Sequence, residues 1–109
     1  MAKILVSDPD RANRELLDAV VRHLGHDPVH TDEPQPAGDV SAAIVDPADA
    51  GALAAAIAAR AAQPDLPLVY VSIHRRCAAV AELRPHAYLV KPFAVGELCD
   101  AIRAAVPPA

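Results

Sequence analysis

The sequence predicts one α/β domain built on a five-stranded, parallel, doubly wound sheet, with its second helix missing and its fourth shortened. Three observations predict it. Short apolar runs of strand length alternate with segments whose apolar residues recur at helical spacing. Strands separated by helices pair in parallel, because each crossover carries the chain back over the sheet. Asp8, Asp46, Ser72 and Lys91 each fall at or just past a strand end, and in such a sheet those ends open onto one crevice.

Lys3-Ile4-Leu5-Val6-Ser7 is an apolar run that stops at Asp8-Pro9-Asp10, a buried strand. Asp10 caps the next helix, with Asn13 in its first turn. Leu16, Leu17, Val20, Val21 and Leu24 then recur at helical spacing, and Gly25 closes the helix. Residues 27–31 form a second strand, and Pro28 places it at the sheet edge. Residues 32–39, with Pro34, Pro36 and Gly38, are too few for a crossover that includes a helix, which takes about 10–12 residues. The second helix is therefore expected to be absent. Part of the sheet face it would cover is then expected either to be bare, a surface for self-association, or to be shielded by the eight-residue loop folding down onto it.

Residues 40–45 make the third strand, and residues 50–62 a helix ended by Gln63-Pro64. Asp49 is its expected cap. Residues 66–72 are the fourth strand, 75–83 a short helix cut off by Pro85, and 87–90 the fifth strand. The last helix runs over 95–106, with Val95, Leu98, Cys99, Ile102 and Val106 inward, and Pro107-Pro108 stop it.

Composition excludes several classes. The chain has 109 residues, the size of one domain, and no repeat or second domain is visible, so residues 1–109 are expected to be a single unit without an output domain. No run of about 18 apolar residues exists, so no membrane span is expected. A strand starting at Lys3 leaves no room for a signal peptide. A net charge of −4 argues against a nucleic-acid surface. Cys77 and Cys99 are too few for a disulfide framework and lack zinc spacing; they read as small packed hydrophobes in a cytoplasmic protein. His26 and His30 lie in a turn and a strand, not on one helix face, so no metal pair is expected there, and His74 reads as a solvated loop residue.

The crevice residues suit phosphoryl chemistry. A carboxylate at a strand end, Asp46, can attack phosphorus and form an acyl phosphate. The reaction needs charge neutralisation, commonly by Mg²⁺ on one or two carboxylates, and Asp8 is the second. Ser72 can hydrogen-bond a phosphoryl oxygen, and Lys91 can supply a point charge to it.

At these residues the chain resembles the receiver domain of bacterial two-component response regulators. Met1 to Asp10 looks like the family's first strand and acidic cluster, with Arg14-Glu15-Leu16-Leu17 and Gly25-His26 following in register. Leu66-Pro67-Leu68-Val69-Tyr70-Val71-Ser72 looks like its fourth-strand motif, and Ala87-Tyr88-Leu89-Val90-Lys91-Pro92-Phe93 is the most specific match. The resemblance covers essentially the whole chain. It implies a flavodoxin-like sheet, Asp46 as phosphoacceptor, and Asp8 with Asp46 in the Mg²⁺ pocket. It also implies Ser72 as switch hydroxyl, Tyr88 as the aromatic that follows it, Lys91 as phosphate-binding lysine, and a cis Lys91-Pro92 bond. The implied partners are a histidine kinase or phosphotransfer protein and a downstream target met by the fourth helix, fifth strand and fifth helix. The only enzymatic activity implied is self-phosphorylation and slow self-dephosphorylation.

The chain departs from the pattern. Pro9 stands where the family has a second acid, a direct metal ligand, so Mg²⁺ binding is expected to be weak or absent. Pro47 follows Asp46 in a loop shorter than the family's, and Ile73 stands where a small residue is usual. Two readings follow: a phosphorylatable receiver, or a pseudo-receiver that binds partners without phosphate. A metal-dependent phosphatase would need a second acid close after Asp46, and none is nearer than Asp49.

Overall fold

The structure, a computed structural model, describes residues 2–30, 40–72 and 84–106. The elements are β1 (Lys3–Ser7), α1 (Arg11–His23), β2 (Asp27–His30), β3 (Ala42–Val45), α2 (Ala50–Ala62), β4 (Leu68–Ser72), β5 (Ala87–Val90) and α3 (Val95–Ala105). All strand pairs are parallel, in the order β2-β1-β3-β4-β5. The chain builds outward from β1 to β2, then continues on β1's other side with β3. That reversal opens a crevice beyond the carboxyl ends of β1 and β3.

Alternation along each strand divides the core into two layers. Ile4, Val6, Ile44, Val69, Val71 and Leu89 pack under α1 and α3, against Leu17, Val21, Leu98 and Ile102. Leu5, Ala43, Val45, Leu68 and Tyr70 face the other way, under Ala52 and Ala56 of α2. The sheet is thus covered by helices on both faces.

The helix ends follow their sequence signals. Asp10 caps α1 by accepting from the Ala12 amide at 2.9 Å, and Asp49 caps α2 by accepting from the Ala52 amide at 2.9 Å. Gly25 takes φ +86° after α1, where its N–H bonds Arg22 O and the next amide bonds Val21 O. Glu97 reaches back to the Ala94 amide at 3.1 Å to open α3. Pro28 lies in the edge strand, as a residue without an N–H should.

Several expectations need correction. β3 begins at Ala42 rather than residue 40, and β4 at Leu68 rather than residue 66. Pro67 has no N–H for the ladder, and the Leu66 amide is spent in a turn on Gln63 O. Gln63 also closes on Val40, donating to its carbonyl at 2.8 Å and accepting from its amide at 3.2 Å. Val95 is not inward but 49% exposed, at the first position of α3. Leu16 is 39% exposed at the margin of the α1 stripe. The bare patch is not found on β1, β3 or β4: Leu5 is 4% exposed, and Ala43, Val45 and Tyr70 are closed off. The missing second helix, the short helix at 75–83, and the readings of Ile73, His74 and Cys77 lie outside the described residues.

Candidate functional site

β1 ends at Ser7, and the Asp46 amide donates to Ser7 O at 3.1 Å, extending the ladder one step past β3. That bond sets Asp46 beside Asp8 at the sheet's reversal point. Each carboxylate then folds onto its own loop. Asp8 Oδ1 accepts from the Asp10 amide at 2.9 Å, and Asp46 Oδ1 accepts from the Ala48 amide at 3.0 Å. Both are Asx turns that skip a proline, Pro9 or Pro47, which has no N–H to offer.

Lys91 joins the pair from across the sheet. Its amide donates to Ser72 O at 2.7 Å, which pins the residue to the end of β4. Its Nζ donates to Asp8 Oδ2 at 2.8 Å and to Asp46 Oδ2 at 3.0 Å. The three groups are nearly out of water: the Lys91 and Asp46 side chains are 10% exposed and that of Asp8 not at all. Burial alone would push the Lys91 pKa down. The hydrogen bonds to Asp8 and Asp46, and their charges, outweigh it and hold the ammonium above its ordinary value. The Lys91-Pro92 bond is cis.

Ser72 is buried at the end of β4, on the face that also carries Tyr70. Tyr88 is half-buried on β5, directly across from Tyr70, with ring centroids 6.1 Å apart and planes at 82°. The structure therefore brings Asp8, Asp46 and Lys91 into direct contact, and places Ser72 and Tyr88 on the strands next to them.

Two grooves flank the triad. One, about 310 Å³, is lined by Asn13, Leu16, Lys91, Pro92 and Phe93. The other, about 260 Å³, is lined by Asp8, Arg14, His30, Asp49 and Gly51 among others. Sequence reasoning missed the pair behind this second groove. His30 Nε2 lies 2.9 Å from both carboxylate oxygens of buried Asp18, tying edge strand β2 to α1. The available signal was an acid, Asp18, flanked by Leu17 and Val21 on the inward face of a helix.

The donor set suits a divalent cation only in part. Asp10 is committed to its cap and to Asn13, so the carboxylates at the crevice are Asp8 and Asp46. Among the described residues no group of three His, Cys, Asp or Glu side chains is placed to hold a metal ion. Two carboxylates are still enough for Mg²⁺, which keeps several waters and takes phosphoryl oxygens as further ligands. Both Oδ2 atoms already accept from Lys91, which competes for them.

No family model matches the sequence, and no curated protein does. Solved structures do match it over nearly its whole length. A signal receiver domain of two-component signal transduction (histidine kinase) from Clostridium thermocellum superposes with a TM-score of 0.80, at 15% identity, over 98% of each chain. The chain has the fold of a response-regulator receiver domain. A response regulator from Thermotoga maritima matches at a TM-score of 0.78 and 14% identity over 99% of each chain. The response regulator TrrA from Thermotoga maritima, solved in complex with Mg²⁺ and BeF, matches at 0.78 and 22% over 97% of this chain and 100% of that one. At these identities the likeness is one of fold.

Proposed function

We propose that this receiver fold accepts a phosphoryl group on Asp46 in two-component signalling, from the phosphohistidine of a histidine kinase or phosphotransfer protein. The observation that carries this reading is the Asp8–Lys91–Asp46 triad, two buried carboxylates held by one ammonium at the sheet's reversal point. An Asp46 carboxylate oxygen attacks phosphorus. The bond from phosphorus to the donor's imidazole nitrogen breaks, the imidazole leaves with that electron pair, and it takes up a proton. The product is an acyl phosphate on Asp46.

Lys91 supplies positive charge that offsets the negative charge on the phosphoryl oxygens, with its protonated state secured by the triad. Ser72 is the hydroxyl for a phosphoryl oxygen, and Tyr88 the aromatic that follows it. Mg²⁺, where bound, would sit on Asp8 and Asp46 and neutralise phosphoryl charge. With Pro9 in place of a second acid, that binding is weak. The groove of Leu16, Pro92 and Phe93 beside Lys91 suits an apolar donor surface. Exposed Val90 and Val95 suit a downstream target at the β5–α3 side, or a second copy of the chain. No helix among the described residues is long and apolar enough to cross a membrane. We place the protein in the cytoplasm, with no nucleic-acid partner, and with no catalysis beyond its own phosphorylation and slow dephosphorylation.

A second reading has its own support. Asp10 is spent on a cap and Pro9 gives no ligand, so a pseudo-receiver that binds partners without phosphate also fits the crevice. Intact-mass spectrometry after acetyl phosphate and excess Mg²⁺ separates the two. The receiver reading expects one phosphoryl adduct, absent from Asp46→Asn. No adduct on the wild-type chain, with partner binding indifferent to metal, would establish the pseudo-receiver.

A further inference from the structure

Tyr70 sits in the middle of β4 with its ring fully buried, and its phenol oxygen has no hydrogen-bond partner among the described residues. It is the one buried side-chain oxygen or nitrogen left so among the described residues. A buried hydroxyl without a partner destabilises the arrangement it is found in, whereas phenylalanine would fill the same volume without that cost. Such a group points to a second arrangement in which the hydroxyl is bonded.

A separate observation says what would change. Tyr70 and Tyr88 are register partners on neighbouring strands, and the edge of one ring meets the face of the other. Ser72 lies two residues along the same face of β4, at the crevice. Neither ring can turn far in a close-packed layer without the other giving way.

We propose that Tyr70 is a positioning residue for Tyr88: the two rings repack as a unit when the crevice is filled, and the Tyr70 hydroxyl gains its hydrogen bond in the repacked arrangement. The proposal rests on the reading of Asp46 as acceptor and Tyr88 as the aromatic that follows Ser72. The resting contact holds Tyr88 in one rotamer, and the unbonded hydroxyl keeps that state from being too stable to leave.

The chain has two tyrosines and no tryptophan, so ring-¹³C-labelled tyrosine gives two sets of signals, assigned with Tyr70→Phe and Tyr88→Phe. Beryllofluoride with Mg²⁺ is added as the phosphoryl mimic, and the Asp46 amide is followed in the same sample. The expected result is that Tyr70 and Tyr88 signals shift together with the Asp46 amide, and that Tyr70→Phe moves the resting Tyr88 signal. A stationary Tyr70 signal overturns the inference. The Asp46 amide then shows whether the acceptor reading stands, because it moves, or falls as well, because it does not. Thermal unfolding gives a second arm without ligand. Tyr70→Phe is expected to melt at or above the wild-type midpoint; a lower midpoint would show that the hydroxyl is already bonded, through a buried water, and would overturn the proposal.

Discussion

Lys91→Met removes the ammonium from between two buried carboxylates while keeping side-chain volume. At an effective dielectric constant of about 20, Coulomb attraction is about 6 kcal/mol for the 2.8 Å contact to Asp8 and about 5.5 kcal/mol for the 3.0 Å contact to Asp46. Desolvation of three ions offsets much of this, and the loss on removing one partner of a buried pair is about 3–5 kcal/mol. A second effect is specific to this site: the variant is left with two carboxylates facing each other and no cation between them. Urea unfolding followed by far-ultraviolet circular dichroism measures the loss. With a slope of about 1–3 kcal/mol/M, the midpoint falls by about 1 M or more. Asp8→Asn in the Lys91→Met background removes the like-charge pair and is expected to restore part of the stability. A single-variant loss below about 1 kcal/mol, the level of an exposed ion pair, would refute the reasoning. So would a double variant that is less stable than the single.

The remaining predictions follow from the same contacts. Lys91 has its pKa raised by the triad, so its stabilisation is fully present below the unfolded-state lysine value and is lost as pH rises through the higher folded value. The stability gap between wild type and Lys91→Met should therefore be flat from neutral pH upward and close only in the alkaline range, as read from unfolding midpoints at several pH values. Asp10→Ala and Asp49→Ala each lose a cap bond of 2.9 Å and should each cost about 1 kcal/mol in the same assay. Pro9→Asp adds a carboxylate beside Asp8 and should raise Mg²⁺ affinity by about tenfold or more, because ligand charge sets divalent-cation affinity; isothermal titration calorimetry reads it directly.

Local signals carried most of the fold. The bounds of β1 and β5 and of α2 were legible because each apolar or alanine-rich run ends at a residue that cannot continue it: Asp8-Pro9, Lys91-Pro92 and Gln63-Pro64. Asp10 and Asp49 were legible as caps for the same local reason. The starts of β3 and β4 were not: Val40 is apolar, but its amide and carbonyl are both taken by the Gln63 side chain, and Leu66 is apolar, but its amide turns back to Gln63 O and Pro67 after it has no N–H. Val95 fits the inward period of α3, but period alone does not say that the first residue of the helix is left exposed.

The site was legible as residue types at strand ends, and its contacts were not. Lys91 and Asp8 are 83 positions apart, and only the parallel order β1-β3-β4-β5 makes them neighbours. That one ammonium holds both carboxylates, and that Asp18 and His30 brace the edge strand beside them, are tertiary facts without a local trace. The same holds for Tyr70 and Tyr88, each an unremarked aromatic in a strand until register sets them opposite each other.

The central claim is that Asp46 carries the phosphoryl group, and reductive trapping tests it most directly. The chain is treated with acetyl phosphate and Mg²⁺, then with borohydride, which converts an aspartyl phosphate to homoserine, and the peptides are sequenced by mass spectrometry. The account predicts homoserine at position 46 and nowhere else. Unmodified Asp46 in every peptide, or homoserine at Asp8 instead, would contradict it.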